Sequence, residues 1–319
     1  MFFLQLRMWL LLTVLFAIVY AVISWISYSA GISNFYFYLI ASFFIMFLQY
    51  MIGPKLVEWT MRVRYIKRQD YPRLYAMVES LSHRAGIPVP KIGIAQIPIP
   101  NAFAFGRGLG DGRVCVTQGI LSLLDEEELK AVLGHELSHL KNRDVLTITL
   151  LSVIPMILYR IAWQFLFYGR RRDDRSGNTA LIGLAAFIFY FITNLLVLYA
   201  SRIREYFADQ GSINLGNRPS AMASSLYKLV YGSARMDKES LKETEGLKAF
   251  FVNDPSRALY EIKELRALDL DKSGSIDASE LALLRNKKIV LNFGDRLLEA
   301  LSTHPNALKR IKHLSTLTR

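Results

Sequence analysis

The stretch His135-Glu136-Leu137-Ser138-His139 places two histidines and a carboxylate on one short segment. Side chains four residues apart lie on the same face of a helix, so we expect His135 and His139 to bind one metal ion together. Glu136 lies beside them, where a carboxylate is able to take a proton from a water molecule at the metal. Catalytic zinc sites use three protein ligands and leave a fourth position open. The alternative is a core helix with two partly buried histidines.

The residues before this stretch predict the helix that it needs. Asp125 is a residue type that caps helix N-termini, and Glu128, three residues later, completes the pattern of a capping box. Acidic residues in a first turn also stabilise the helix dipole. Apolar residues then recur at helical spacing: Leu129, Val132, Leu133, Leu137 and Leu140. The pattern therefore predicts an amphipathic helix that carries both histidines.

A second pair of candidate site residues lies further along the chain. Glu205 and Asp209 are also four residues apart and share a helix face. We expect Glu205 to be the third metal ligand. Asp209 is a candidate acceptor for the free N–H of a ligating histidine, an arrangement that fixes the tautomer of the ring. Taken without the histidines, such a pair is usually a solvated helix face.

These motifs occur in an order that is typical of one family. His135 to His139 are followed by Lys141-Asn142-Arg143-Asp144, then by Glu205 to Asp209, and then by Ser302-Thr303-His304-Pro305; Asn101 to Gly106 precede them all. In these motifs, and over nearly its whole length, the chain resembles the HtpX-type membrane metalloproteases, relatives of the CAAX prenyl endoprotease. The resemblance implies an integral membrane, gluzincin-like endopeptidase with one Zn²⁺ per chain, acting on misfolded or damaged membrane proteins.

The resemblance also gives a candidate role to the C-terminal motif. It implies that His304 stabilises the oxyanion formed during catalysis, with Arg310 as a second candidate for that role. Simpler interpretations remain open for both residues. His304 and the proline after it are also a common way to end a loop, and Arg310 is also suited to pair with a carboxylate.

Composition limits the remaining classes. The 319 residues are 52% hydrophobic with a formal net charge of +12, and Cys115 is the only cysteine, which excludes an intramolecular disulfide. We predict no nucleic-acid partner, because no basic stretch is interleaved with aromatic residues in a recognisable binding module. Basic residues near the ends of membrane spans account better for the charge.

Four apolar stretches are candidate membrane spans: Met8 to Ile26, Phe35 to Ile52, Val145 to Tyr168 and Ala180 to Ala200. A span needs about 20 apolar residues. We interpret the first stretch as a retained anchor and not a signal peptide, because its apolar part is long and a second span follows closely. The four stretches predict two transmembrane hairpins. Pro155 and Arg160 weaken the third stretch, so the second hairpin either crosses fully or lies partly against the protein.

Basic residues near the span ends predict the orientation. Twelve lie on the catalytic side: Arg7, Lys55, Arg62, Arg64, Lys67, Arg68, Arg73, Lys141, Arg143, Arg202, Arg204 and Arg218. Four lie on the other side: Arg170, Arg171, Arg172 and Arg175. The positive-inside rule therefore predicts a multi-pass protein of the cell membrane with its catalytic site in the cytoplasm. Since His139 closely precedes the third stretch and Glu205 closely follows the fourth, we expect the site to lie at the membrane surface.

The predicted fold class is α+β and mostly helical. The predicted parts are an N-terminal hairpin (1–53), the first part of the catalytic domain (54–144), a second hairpin (145–200) and the second part of the catalytic domain (201–319). In the catalytic domain, Asp70-Tyr71-Pro72 predicts the start of a helix that ends before Gly86. Lys91 to Ile97 and Arg113 to Thr117 predict strands.

Two expectations concern substrate contact in this domain. We expect the strand Arg113 to Thr117 to pair with an extended substrate through its main chain. Phe103 and Phe105 are either core residues or substrate contacts.

Residues 269–280 match the twelve-residue calcium loop of an EF-hand, which the family pattern lacks. Oxygen-bearing side chains occupy loop positions one, three, five, nine and twelve, and position seven contributes its backbone carbonyl. These candidate calcium ligands are Asp269, Asp271, Ser273, Ser275, Asp277 and Glu280. Gly274 and Ile276 fit positions six and eight. The loop either binds Ca²⁺, which would stiffen the C-terminal region or regulate access to the zinc cleft, or is an acidic turn that caps the next helix.

The sequence thus predicts a membrane-bound zinc endopeptidase of protein quality control and stress response, with Glu136 as its base. The expected partners are membrane-protein or unfolded polypeptide substrates and the lipid bilayer, while the oligomeric state is not predicted. Two alternatives stay open. One is a CAAX-type prenyl endoprotease, which shares the zinc chemistry but has more spans. The other is a non-catalytic, calcium-responsive membrane adaptor, although the retained Glu136 argues against it.

Overall fold

The computed structural model describes residues 47, 50–163, 165–166, 176–234, 252, 258–287, 289 and 293–318. The first predicted span and most of the second lie outside these residues. The chain divides into two compact units. One comprises Met1–Ile52 with Leu146–Ile203, and the other comprises Gly53–Val145 with Arg204–Arg319.

The described elements follow one another in this order: α1 over residues 50–60, β1 Val63–Tyr65, α2 Pro72–Ala85, β2 Lys91–Ala95, β3 Ala102–Phe105, a 3-10 turn Leu109–Asp111, β4 Arg113–Thr117, α3 Gln118–Leu123, α4 Glu126–Lys141, α5 Asp144–Trp163, α6 Ser176–Asn214, α7 Pro219–Ala234, α8 Ala258–Leu265, α9 Ala278–Leu284, α10 Phe293–Ala300 and α11 Ala307–Ser315. The described part of the chain is thus mostly helical with one small sheet, as the sequence predicts.

The sheet has four strands in the order β1-β2-β4-β3. Strand β4 pairs in parallel with β2 and antiparallel with β3. The prediction that Arg113 to Thr117 pairs with an extended substrate is therefore wrong, because both edges of this strand are already occupied within the sheet. Within the described residues the two edge strands are β1 and β3. The sequence analysis did not identify β3 as a strand. Phe103 and Phe105 in β3 are each only 2% exposed, so they are core residues.

The start and end of α2 show how local sequence sets this fold. Pro72 lies in the first turn, where its fixed φ and missing N–H are tolerated. Gly86 ends the helix in the left-handed conformation, with φ of 69°, and its N–H bonds to the carbonyl of His83. Leu74, Val78 and Leu81 lie between these ends and are buried in the main core. The predicted helix and its predicted glycine cap are both confirmed.

The main core packs around α4. Helix α4 begins at the predicted capping box, since Asp125 accepts from the Glu128 N–H and the Glu128 carboxylate accepts from the Asp125 N–H. Leu129, Val132 and Leu133 of α4 are buried together with residues of α2, the sheet and α7. Burial of this face of α4 fixes how the rest of the helix lies within its unit.

The other unit contains the apolar helices. Among the described residues, one helical stretch, Ala180–Asn214 within α6, is long and apolar enough to cross a membrane. Several large apolar side chains on it are exposed, namely Leu181, Leu184, Phe187, Ile188 and Phe191. Helix α5 spans Asp144–Trp163 and contains Pro155. The two predicted transmembrane hairpins remain a prediction.

Candidate metal centre

Three candidate metal ligands converge within the unit formed by Gly53–Val145 and Arg204–Arg319. Helix α4 supplies His135 and His139, whose Nε2 atoms lie 3.1 Å apart. Helix α6 supplies Glu205, whose Oε2 lies 3.5 Å from His135 Nε2 and whose Oε1 lies 3.5 Å from His139 Nε2. All three side chains are largely buried. The two sequence motifs thus meet at one point, as expected.

Two observations indicate that this point is suited to a cation. Within the described part of the chain, the buried Oε2 of Glu205 already attracts positive charge, because it lies 3.0 Å from Arg310 Nη1 without the geometry of a hydrogen bond. The two histidine Nε2 atoms face each other, and two lone pairs at that distance repel unless a proton or a metal ion lies between them. Two imidazole nitrogens and one carboxylate oxygen are also a donor set that catalytic zinc uses. The residues present therefore fit zinc.

The two histidines have opposite protonation preferences. Burial opposes a charge on His135, but its contacts with Asp209 and Glu205 outweigh burial and raise the pKa to about 9. Burial and the neighbouring charge of His135 lower the pKa of His139 to about 4. One proton on the pair is thus favoured over none or two. The centre therefore favours positive charge between the two rings and Glu205, which a metal ion supplies when it binds.

The Nδ1 atom of His135, on the far side of the ring from the candidate metal position, contacts an aspartate that an arginine binds in turn. Its Nδ1 lies 2.9 Å from Asp209 Oδ1, which is the contact expected of Asp209. Arg310 of α11 binds both oxygens of Asp209, with Nε at 2.9 Å from Oδ2 and Nη2 at 2.6 Å from Oδ1. Arg310 is 1% exposed. Of the two interpretations of Arg310, the structure shows pairing with a carboxylate.

His139 has a similar partner that the sequence reasoning missed. Its Nδ1 lies 2.5 Å from Asp144 Oδ2, and Arg204 pairs with the same carboxylate. Asp144 follows His139 by five residues, a spacing that does not place two side chains together on a regular helix. The contact depends on the break between α4 and α5, where Arg143 has φ of 55°. The only sequence signal was the presence of Asp144 in the family motif.

Glu136, the predicted base, lies on α4 next to these ligands and is 4% exposed. Burial raises the pKa of its carboxyl above the usual value, while the charges of His135 and His139 oppose this rise. The carboxylate also accepts a hydrogen bond from the backbone N–H of Ala104. Ala104 belongs to β3, so the candidate base contacts an edge strand of the sheet.

His304 lies on the remaining side of Glu205, with its Nε2 3.7 Å from Glu205 Oε1. Its Nδ1 lies 2.9 Å from Thr303 Oγ1, which orients the ring. The side chain is 5% exposed, and the loop that carries it leads directly into α11. The structure therefore brings together the six residues that the sequence predicts for the metal centre and its chemistry: His135, Glu136, His139, Glu205, Asp209 and His304.

Comparison with known proteins assigns the chain that carries this site to a family. Residues 68–318 match the model for peptidase family M48. The chain belongs to peptidase family M48. Peptidases of this family are zinc-dependent, and the convergent His135, His139 and Glu205 form a group able to hold that metal.

Curated relatives narrow the assignment to an HtpX-type protease. A Protease HtpX homolog from Methanothermobacter thermautotrophicus is 53% identical over 227 residues, which is 71% of this chain and 86% of that protein. One from Moorella thermoacetica is 37% identical over 211 residues, 64% of this chain and 70% of that protein. The crystal structure of S. mikatae Ste24p matches with a TM-score of 0.50 and 16% identity, covering 97% of this chain and 67% of that one. That likeness shows a shared fold.

In this M48 peptidase, two glycines let the ligand-bearing helices approach closely. A Cβ on Gly211 of α6 would lie 2.2 Å from Ser138 Oγ and 2.7 Å from Ser138 Cβ on α4. A Cβ on Gly134 of α4 would lie 2.4 Å from Asn217 Nδ2. Ser212 Oγ also donates to the carbonyl of Ala131 at 2.6 Å. These contacts, named here the α4–α6 seam, set the distance between the histidines and Glu205.

The loop 269–280 brings together only part of its predicted calcium ligands. Carboxylate oxygens of Asp269, Asp271 and Glu280 lie within 4.8 Å of one another. Asp277 instead caps α9, where its Oδ1 accepts a hydrogen bond from the Glu280 N–H at 2.8 Å. The Glu280 carboxylate in turn accepts a hydrogen bond from the Asp277 N–H. The hydroxyls of Ser273 and Ser275 lie 3.0 Å apart. The loop therefore contains both a cluster of three carboxylates and the helix-capping turn that was the alternative.

Proposed function

We propose that the chain is a membrane-bound, zinc-dependent endopeptidase whose metal is held by His135, His139 and Glu205. The single observation that carries this proposal is the convergence of these three side chains beside a buried Glu136. When bound, zinc supplies a Lewis acid that activates water and polarises a peptide carbonyl. The rest of the chemistry belongs to side chains of this chain.

Glu136 is the general base in this proposal. Its buried carboxylate takes the proton from the attacking water and delivers it to the nitrogen of the leaving amine. Because burial raises the pKa of this carboxyl, the group is better matched to both accepting and returning a proton near neutral pH. His304 donates a hydrogen bond to the developing oxyanion, and its contact with Thr303 keeps the ring in place.

The free edge of β3 is the place where an extended substrate binds. An edge strand offers unpaired backbone groups to a peptide, and main-chain pairing selects an extended chain more than a particular sequence. Ala104 links this edge to Glu136, so a peptide paired with β3 would lie beside the base. This favours unfolded or misfolded polypeptides as substrates and a role in protein quality control.

Membrane association follows from the apolar helix and from the family. Helix α6 contains a stretch able to cross a bilayer. We propose the four spans, the two hairpins and the domain limits predicted from the sequence, with the catalytic unit in the cytoplasm. The excess of Lys and Arg near the span ends on the catalytic side supports this orientation. Membrane proteins with exposed unfolded segments are the expected substrates.

Degradation by purified protein tests this function. Detergent-solubilised protein is incubated with an unfolded soluble protein and with the same protein held folded by a tight ligand, each with zinc or with chelator. We expect zinc-dependent cleavage of the unfolded form at several sites and little cleavage of the folded one. Cleavage that persists after complete zinc removal would contradict the proposal.

Of the two alternative functions, a prenyl endoprotease would cleave a prenylated polypeptide. The likeness to Ste24p is at 16% identity and carries only the fold. A prenylated peptide added to the same assay separates the two functions. Single cleavage restricted to that peptide would favour the alternative, whereas several cuts in the unfolded protein favour the proposal.

Calcium binding by the loop 269–280 is a further part of the proposal. Three loop carboxylates lie together, and Tyr227 of α7 donates to Asp269 at 2.9 Å, which ties the loop to the main core. The test is the melting temperature of the full-length protein with and without millimolar Ca²⁺, compared with Asp271→Asn. Asp271 is exposed and takes no part in the α9 cap. A calcium-dependent rise that Asp271→Asn abolishes supports binding, and no rise in the wild type contradicts it.

A further inference from the structure

Asp144 and Arg204 form a buried pair directly behind His139. Asp144 Oδ2 lies 2.5 Å from His139 Nδ1, and Arg204 pairs with Oδ1 of the same carboxylate. Arg204 Nη1 also donates to the backbone carbonyl of Asp144 at 2.7 Å. The arginine therefore holds both the side chain and the main chain of Asp144. Their side chains are 13% and 5% exposed, so solvent screens this pair only weakly.

This arrangement repeats the one behind His135. There Asp209 contacts His135 Nδ1 and Arg310 binds both oxygens of Asp209. In each case an aspartate accepts from Nδ1, and an arginine from a distant part of the chain neutralises and orients that aspartate. The two pairs share α6, which carries Arg204 and Asp209, but their other members lie on α5 and α11. The roles of acid and base on α6 are also exchanged between the pairs, so their similarity is not a consequence of one local motif.

We propose that Asp144 and Arg204 are positioning residues for His139, equivalent to Asp209 and Arg310 for His135. This inference rests on the proposed zinc site. A proton on Nδ1, donated to Asp144, leaves the lone pair of His139 on Nε2, which is the atom that faces Glu205. The carboxylate also raises the basicity of the ring toward a metal.

The pair also links the residues that directly follow α4 to α6, and these two helices carry the ligands. Asp144 follows the end of α4, and Arg204 immediately precedes Glu205 on α6. A contact between them therefore fixes the position of Glu205 relative to His139. Arg310 does the same for His135 from α11, six residues after His304. The aspartate that contacts His139 is thus bound by an arginine next to Glu205, and the aspartate that contacts His135 is bound by an arginine near His304.

Zinc affinity of the purified full-length protein tests the proposal without any substrate. The dissociation constant is measured by competition with a chromophoric chelator for the wild type, Asp144→Asn and Arg204→Gln. Loss of a partner behind a ligating histidine typically weakens metal binding about 10- to 100-fold. We expect this loss in both variants. Asp111→Asn is the matched control, because Asp111 also pairs with arginines, Arg107 and Arg113, but forms no ion pair with a histidine among the described residues.

The visible spectrum of the cobalt-loaded protein separates positioning from a general loss of stability. A His139 ring that has turned or changed tautomer alters the ligand field, so we expect shifted d–d bands in Asp144→Asn and unchanged bands in Asp111→Asn. The melting temperatures of the metal-free forms show how much stability each substitution costs. If Asp144→Asn keeps the wild-type zinc affinity and spectrum, the positioning role of Asp144 is overturned, while the proposed function stands. Absence of zinc binding in the wild type would overturn the proposed function together with that role.

Discussion

Gly211 offers the sharpest test of how the fold sets the metal site. In Gly211→Ala the new methyl group would lie 2.2 Å from Ser138 Oγ and 2.7 Å from Ser138 Cβ. Ordinary contacts of a Cβ begin near 3.4 Å, so α4 and α6 must separate by roughly 1 Å. Ser138 has little freedom to turn away, because its hydroxyl donates to the carbonyl of Gly134 at 2.8 Å.

The expected effects differ for stability and for zinc. Overpacking of this kind costs about 1–3 kcal/mol. Alanine has a higher helix propensity than glycine, which stabilises α6 by about 1 kcal/mol. The net loss of folding free energy is therefore only about 0–2 kcal/mol. Metal sites tolerate ligand displacements of only about 0.2 Å. A separation several times larger between the helices that carry His135, His139 and Glu205 should therefore weaken zinc binding by at least about tenfold.

The assay is zinc competition together with thermal unfolding of the metal-free protein. The double variant Ser138→Gly with Gly211→Ala removes both clashing atoms of Ser138, so we expect it to regain most of the zinc affinity. Gly53→Ala is the matched control, because Gly53 is helical and a Cβ there meets no atom within 4 Å. Unchanged zinc affinity in Gly211→Ala, or no recovery in the double variant, would refute the reasoning.

Two further predictions concern α4 and its partner helix. Glu205→Ala should purify without stoichiometric zinc, because it removes the ligand that carries the only carboxylate oxygens in the set; undiminished zinc by elemental analysis would exclude Glu205 as a ligand. Asp125→Ala should lower the free energy of unfolding by about 1 kcal/mol through loss of the α4 cap, whereas Asp125→Asn, which retains a capping side chain, should lose much less. Equal denaturation midpoints for these two variants would contradict the assigned cap.

Local signals made much of the fold predictable from the sequence. The capping box at Asp125 and the glycine at the end of α2 are short-range patterns, and the structure shows both. Strand β4 is flanked by breaks and rich in Val, and the sequence predicts it with the limits that the structure shows. These features could be predicted because each is decided by residues close together in the chain.

The misses have a common physical cause, which is dependence on distant residues. In Ala102–Phe105 apolar residues follow one another without polar alternation, and nothing local distinguishes a core loop from an edge strand. Which strand lies at the edge is decided by pairing with β4. The Asp144–Arg204 pair joins residues 60 positions apart, across the break that follows α4. His135, His139, Glu205 and Asp209, by contrast, lie on regular helices, where spacing reveals a shared face.

The substitution Glu136→Gln tests the central claim most directly. Glutamine has nearly the same shape, so the three proposed ligands and their partners stay in place while the base is lost. We measure zinc content and cleavage of an unfolded protein in parallel, on the same preparation. The account predicts stoichiometric zinc and no detectable turnover. Turnover at the wild-type rate with full zinc would contradict the assignment of Glu136 as the base.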